Sequence, residues 1–266
     1  GQLNKLNRYG IEKLSKLIKN KVRVKVSNHK KDDDKMVGED VIDNLIQTDF
    51  AEWIQQAERR FPVEIFTINY DYLFELVFER KRIPYYDGFS GSFRPFFNSE
   101  SVEDPTFLPN QTKIWKIHGS LGWHFDLDSD RILRTHPDDE DILIYPSIMK
   151  YKDSKKQPYE SLMDRLSNFL KQDDSILFTS GYSWGDEHIN DRMISALKTN
   201  TTSHVVALYH DKIRNGHGSF DYGLTPESNM GRIGLENIKI SVYGYRHAII
   251  GCRYGEWVLG SEPDKD

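Results

Sequence analysis

Apolar residues follow two periods along this chain. Ile42, Leu45, Ile46, Trp53, Ile54 and Ala57 recur at helical spacing. Asp49 and Glu52 have the spacing of a capping box, which predicts that a new helix starts inside this stretch. Val63–Ile68 (VEIFTI) is a β-branched and aromatic run that reads as a strand. Asp71 is placed to cap a helix whose apolar face is Leu73, Phe74, Val77 and Phe78. Ile114–His118, Ile142–Tyr145, Ser175–Ser180, His204–Tyr209 and Ile238–Val242 read as further strands. Helical stripes lie at Leu162, Met163, Leu166, Phe169 and Leu170, and within Asp186–Leu197. Pro84–Thr112 breaks both periods. It is rich in Gly, Pro, Ser and Asn but carries Tyr85, Tyr86, Phe89, Phe93, Phe96 and Phe97, which predicts an irregular but packed lid.

Strands alternate with helices, and several strands are apolar throughout. That pattern predicts a parallel sheet covered on both faces by helices. Ligands of such sheets bind at the carboxyl ends of the strands. Three strand ends carry polar residues there: Asn69-Tyr70-Asp71, His118-Gly119-Ser120 and Gly181-Tyr182-Ser183-Trp184. All three are expected on one edge of one sheet. Each also fits a plainer reading. Asn69 and Asp71 suit a turn and a helix cap, His118 a structural hydrogen-bonding role, and Gly181–Ser183 an ordinary strand-to-helix turn.

Composition narrows the function classes. The chain has 266 residues, a formal net charge of −5, 29% charged and 12% aromatic residues, and one cysteine. The length suits one large domain or two small ones. The aromatic content argues against overall disorder. A single cysteine excludes an internal disulfide and a four-cysteine zinc site, and it fits a reducing, cytoplasmic compartment. The acidic balance argues against a dedicated nucleic-acid binder. No run reaches the roughly 18 apolar residues of a membrane span. The charge run Lys19–Lys35 reads as a solvated loop. His188, within Asp186-Glu187-His188, suits a helix start better than a metal site. His204, His210, His217 and His247 show no metal-ligand spacing, and Cys252 reads as a small buried residue. The tail 260–266 is expected to fray.

Five segments in order carry a family resemblance: Phe66–Asp71 (FTINYD), Asp87–Gly91 (DGFSG), Lys116–Ser120 (KIHGS) with Trp123, Ile144–Tyr151 (IYPSIMKY) and Gly181–Asn190 (GYSWGDEHIN). Together they resemble the signature blocks of the sirtuin-like domains of bacterial anti-phage defence proteins, over residues 63–210. The resemblance implies one Rossmann-like domain spanning 1–266, with helices on both faces of its sheet. The implied activity is hydrolysis of NAD⁺, as substrate, to nicotinamide and ADP-ribose, depleting NAD during infection. Asn69, His118 and Asp71 take the implied catalytic roles. Asn69 orients the ribose or the attacking water, His118 accepts a proton, and Asp71 holds the nicotinamide amide. Thr67, Tyr70, Gly119, Gly181, Tyr182, Ser183 and Tyr243 are implied to line the NAD site, with Tyr243 at the adenine end.

The resemblance also implies a glycine-rich loop after a first strand. None precedes Asn69, so that strand-loop is expected to be missing from the given chain. The four-cysteine zinc module of sirtuin deacylases is absent, which favours hydrolysis over deacylation and implies no zinc. The partners implied are NAD⁺, further copies of the chain, and a HerA-like ATPase, Argonaute-like or sensor component, without nucleic acid or membrane. A non-catalytic NAD- or ADP-ribose-binding module is the alternative function.

Overall fold

Short β-branched runs become the sheets, as their residue types dictate. The computed structural model describes residues 8–31, 35–136, 158–214, 216 and 220–256. The expected strand 142–145, the segment 144–151, His217 and the tail 260–266 lie outside the described residues. Chain contacts divide the protein into two units, Gly1–Leu162 and Met163–Asp266.

The first unit is built on β1 (Glu64–Thr67), β2 (Tyr85–Tyr86) and β5 (Thr112–Lys116), a parallel sheet in the order β1-β5-β2. Neighbouring side chains on a strand point to opposite faces. Ile65 and Ile114 therefore join one core, with Ile42, Ala51, Val77 and Phe78. These come from α2 (Glu39–Asp43), α3 (Ile46–Gln56) and α4 (Leu73–Arg80). Phe66 and Trp115 point the other way, into a cluster with Tyr86, Phe89, Phe97 and Trp123. That cluster belongs to an antiparallel sheet, in the order β3-β4-β7-β6, of β3 (Phe89–Ser90), β4 (Phe96–Phe97), β6 (Trp123–Asp126) and β7 (Arg131–Arg134). One face of the parallel sheet thus meets helices and the other an aromatic subsheet.

The second unit is a five-stranded sheet, β14-β13-β12-β9-β8. β8 (Ile176–Ser180), β9 (His204–Leu208) and β12 (Ile240–Tyr243) run parallel; β13 (His247–Ile250) and β14 (Arg253–Glu256) return antiparallel. Val205, Ala207, Ile240 and Val242 are buried. Phe178 and Ile176 remain 65% and 52% exposed. α6 (Tyr159–Lys171), α7 (Glu187–Thr199) and α8 (Asn229–Glu236) complete the helical part. The chain is a mixed α/β protein with Rossmann-like parallel strands and helices. Among the described residues no helix is long and apolar enough to cross a membrane.

Several expectations change. The strand ends do not share one hydrogen-bonded sheet, because β1 and β5 pair in the first unit and β8 in the second. The charge run beginning at Lys19 is not all loop: its first part is the end of α1 (Arg8–Val26), where Arg23 donates to Asn20 Oδ1 and Ser27 Oγ to the Arg23 carbonyl. Asp49 and Glu52 form no capping box. The helix starts earlier, at Ile46, which leaves Asp49 inside its first turn, and Glu52 pairs with Lys81 at 2.7 Å. Pro84–Thr112 is more ordered than an irregular lid. It contains β2, β3, β4 and α5 (Ser99–Glu103), and Asn98 accepts from Ser101 N to cap that helix. Cys252 is half-buried with φ +60, beside Gly251 at φ +57. These two residues form the tight turn joining β13 to β14, which requires positive φ at both positions.

The aromatic cluster supplies a test of this architecture. Trp123 is 1% exposed, whereas Phe93 in the same region is 95% exposed. Trp123→Ala is expected to cost about 3–5 kcal/mol, and Phe93→Ala to change stability by no more than about 0.5 kcal/mol. Urea unfolding followed by circular dichroism checks both.

Candidate functional site

Two adjacent parallel strands end side by side in the first unit. The β1–β5 register pairs Thr67 with Lys116. Asn69 and His118 each lie two residues beyond that pair, so the register carries them to the same edge. The ladder continues one step past the strands, with Ile117 N donating to the Thr67 carbonyl at 2.9 Å. Thr67 then shapes the turn: its Oγ1 accepts from Asn69 N at 3.0 Å. One Asp71 carboxylate oxygen accepts from Leu73 N at 3.1 Å, which starts α4 one residue after Tyr72. Asp71 thus performs the turn role open to it on sequence grounds. Asn69 stays exposed and His118 half-buried.

The two loops are stitched together through Leu121. Its N–H donates to the Tyr70 carbonyl at 3.2 Å, and its carbonyl accepts from the Tyr72 hydroxyl at 2.7 Å. Gly122 follows with φ +70. A Cβ there would stand 2.8 Å from the Thr135 carbonyl and 3.1 Å from the Tyr72 hydroxyl, so only glycine lets the strands approach this closely. Gly119 also has positive φ, at +94.

Beneath these loops lies a buried ion pair. Lys116 Nζ sits 2.7 Å from Glu75 Oε1, with both side chains almost completely enclosed. The same ammonium donates to the Asp71 carbonyl and, at 2.9 Å, to Ser120 Oγ, and it lies 4.2 Å from the centre of the Tyr72 ring. One cation therefore holds α4, the loop after β1 and the turn after β5. Burial pushes the Glu75 carboxyl above its ordinary value, and the Lys116 ammonium opposes that shift. Burial also raises the Tyr72 phenol, with the Glu75 charge adding to the effect, and it raises the Tyr70 phenol. Tyr72 is consequently a neutral donor throughout the physiological range.

Sequence reasoning assigned no role to Lys116, Glu75 or Tyr72. The signal was available for two of them. Glu75 interrupts the apolar stripe of α4, and Lys116 ends an otherwise enclosed strand. A charge inside an apolar pattern implies a partner for it.

In the second unit, Gly181, Tyr182 and Ser183 follow β8. Gly181 has φ +67, and a Cβ added there meets nothing within 4 Å. Backbone strain alone favours glycine here, and the space beside the turn is open. The Tyr182 hydroxyl donates to the Asp186 carbonyl at 3.2 Å and lies 2.8 Å from Asn190 Oδ1. Burial and the Asp186 charge raise its phenol. Ser183 Oγ accepts from Gly185 N at 3.3 Å. Asp186 caps α7, accepting from His188 N and Ile189 N at 3.1 and 3.2 Å. His188 thus stands at a helix start.

Tyr243 ends β12, two strands from β8, with Leu208 of β9 between them in register. At sheet spacing that separates it from the Gly181 turn by about 10 Å. The turns after β9 and β12 share a residue sequence reasoning missed. Asp211 is buried, and its carboxylate accepts from Tyr245 N at 2.7 Å and Leu224 N at 3.3 Å. The expected residues therefore form two sets. Thr67, Asn69, Tyr70, Asp71, His118 and Gly119 lie together at the carboxyl edge of the first parallel sheet. Gly181, Tyr182, Ser183 and Tyr243 lie along the carboxyl edge of the second. Among the described residues no three His, Cys, Asp or Glu side chains are grouped to hold a metal ion.

A family model described as a SIR2-like domain matches residues 63–223. This is more than half of the chain. It contains both sets of strand-end residues except Tyr243. No curated protein matches the chain.

The buried pair makes its own prediction. Lys116→Met leaves Glu75 without its counter-charge in an enclosed site and is expected to cost about 3–5 kcal/mol. Adding Glu75→Leu removes the stranded carboxylate and is expected to recover most of that loss. Urea unfolding of the single and double variants measures both steps.

Proposed function

The chain belongs to the SIR2-like family, whose members are usually NAD-dependent enzymes, and we propose that it is an NAD⁺ hydrolase. It takes NAD⁺ and water to nicotinamide, ADP-ribose and a proton. The observation carrying this reading is the placement of Asn69 and His118, side by side beyond a register pair of parallel strands, over a cradle fixed by Lys116 and Glu75.

The chemistry suits these residues. The bond from the ribose anomeric carbon to the nicotinamide nitrogen breaks through an oxocarbenium-like state. Its electron pair leaves with the nicotinamide, which departs neutral and needs no strong general acid. Water adds to the anomeric carbon and loses a proton. His118 accepts that proton, since imidazole titrates near neutrality. Asn69 orients the ribose or the water without titrating. Asp71 holds the nicotinamide amide, and Thr67, Tyr70 and Gly119 line that end. The positive-φ turn at Gly181, with Tyr182 and Ser183, offers backbone N–H groups to the phosphates or the adenosine ribose. Tyr243 takes the adenine end. In the cell this activity depletes NAD in defence against phage. The acting form is an oligomer, or a complex with an ATPase, Argonaute-like or sensor component.

Nicotinamide release by the complete protein, followed by chromatography, tests the reading. Asn69→Ala and His118→Ala are each expected to lower the rate by about 10²–10⁴-fold without unfolding the chain. Full activity in both variants rejects the assigned roles. NAD⁺ binding without turnover under activating conditions moves the protein to the non-catalytic alternative. The Lys116→Met/Glu75→Leu pair adds a positioning test. It is expected to stay folded and to lose turnover, because the loops it frees carry Asn69 and His118.

A further inference from the structure

The opposite end of the first parallel sheet holds a cavity of about 610 Å³ that the NAD⁺ reaction does not use. Its walls are the end of α3, the segment 59–63 leading into β1, the segment 82–84 leading into β2 and the segment 109–112 leading into β5. It therefore lies at the amino ends of all three strands. From Val63, in its wall, to Asn69 is six residues, or about 20 Å of extended chain. The two sites stand at opposite poles of one sheet.

The lining is one-sided in charge. Arg59, Arg60 and Arg82 face the cavity, and no aspartate or glutamate does. Arg59 is held in place: its guanidinium donates to the carbonyls of Ile54 and Trp53 at the end of α3 and stacks 4.4 Å from the centre of the Trp53 ring. Arg60 and Arg82 are exposed, and neither forms an ion pair among the described residues. Arg82 keeps φ +56, a conformation that costs an arginine energy and would cost a glycine little. Gln55, Asn110 and Gln111 add amide groups, while Phe61, Pro62 and Pro84 make an apolar wall.

Three guanidiniums without a carboxylate recognise a doubly or multiply charged anion, and planar guanidinium forks match phosphate geometry. The volume suits a small molecule, not a bare ion. The apolar wall suits a flat, weakly polar moiety beside the charge. We infer that this cavity is a second ligand site, separate from the NAD⁺ site, for a phosphorylated nucleotide. The shared chemistry is a di- or triphosphate joined to a base. It stands on the cavity and its charges, independently of whether the chain hydrolyses NAD⁺.

Calorimetric titration of the complete protein with ADP, inorganic pyrophosphate and adenosine tests the assignment. Arg59 is left intact because it caps α3. Arg60→Ala/Arg82→Gly removes two cations from exposed positions and relieves the positive φ, so the fold is retained and an unfolding midpoint no lower than the native protein's confirms it. ADP is expected to bind the native protein, more tightly than pyrophosphate and far more tightly than adenosine. The arginine variant is expected to weaken ADP binding about tenfold or more, and Arg60→Lys/Arg82→Lys to weaken it less. Asn69→Ala is expected to leave it unchanged. The inference is overturned if ADP does not bind, if the arginine variant binds it normally, or if Asn69→Ala abolishes it. Pyrophosphate binding as tightly as ADP removes the base from the assignment. Tighter, arginine-dependent binding of a short single-stranded oligonucleotide overturns it in favour of a nucleic-acid surface.

Discussion

A single buried ammonium sets the geometry of the carboxyl edge in the first unit. Enclosing Lys116 and Glu75 takes two charges out of water, a penalty that their attraction offsets only with good geometry and further hydrogen bonds. The structure supplies both: a 2.7 Å contact, the Asp71 carbonyl, Ser120 Oγ and the face of Tyr72. These partners come from three segments. The pair therefore tolerates only one arrangement of α4, the loop after β1 and the turn after β5. As a source of stability alone, an apolar pair of similar volume would serve as well or better. What it adds is a fixed position for the two segments that carry Asn69 and His118. The proposed hydrolysis, whose leaving group is neutral, would gain from such prior positioning.

The second unit solves the same problem with different residues. A buried carboxylate in the turn after β9 also organises the turn after β12. Asp211 accepts from Tyr245 N and Leu224 N, and Gly244 lies against it: a Cβ there would fall 2.7 Å from Asp211 Oδ2. A buried cation joins segments through one carbonyl and several side chains in one unit, and a buried anion fixes turns through their N–H groups in the other.

The longer periodic elements were legible because period is a local property. The runs at 63–68, 175–180 and 204–209 and the stripes of α4, α6 and α7 all appear as strands and helices within a few residues of where they were expected. Elements without a period were not legible. β2, β3 and β4 have two residues each, too short for alternation, and exist because Tyr86, Phe89 and Phe97 bury against Trp115 and Trp123. The end of α1 was hidden by its lysines, which suit a helix face as well as a loop. Around the site, Asn69, Asp71 and His118 were visible as polar residues at strand ends. Lys116 and Glu75 meet only after α4 folds back on β5. Forty-one positions separate them in the chain, so no local pattern joins them.

Helix α4 connects the two poles of the first unit. It begins beside Asp71, carries Glu75 in its first turn, and ends at Arg80, two residues before the cavity-lining Arg82. Its eight residues span about 12 Å. Ion pairs tether its far end: the half-buried Lys81 to Glu52 at 2.7 Å, and the exposed Arg80 to Asp43 and Glu39 at 2.9 and 3.0 Å. The outer pairs are nearer to water than the Lys116–Glu75 pair, so solvent screens them more. The near end is gripped by Lys116. A nucleotide drawing Arg82 toward its phosphates would therefore act first on the weakly tethered end. Any displacement along the helix reaches Glu75 before it reaches Asn69. A ligand shifts an equilibrium only by its differential affinity for two states. The structure shows α4 in one state, seated with Glu75 on Lys116. Because an unpaired buried charge is strongly disfavoured, any ligand acting on α4 would have to preserve that contact or hydrate Lys116 as it broke.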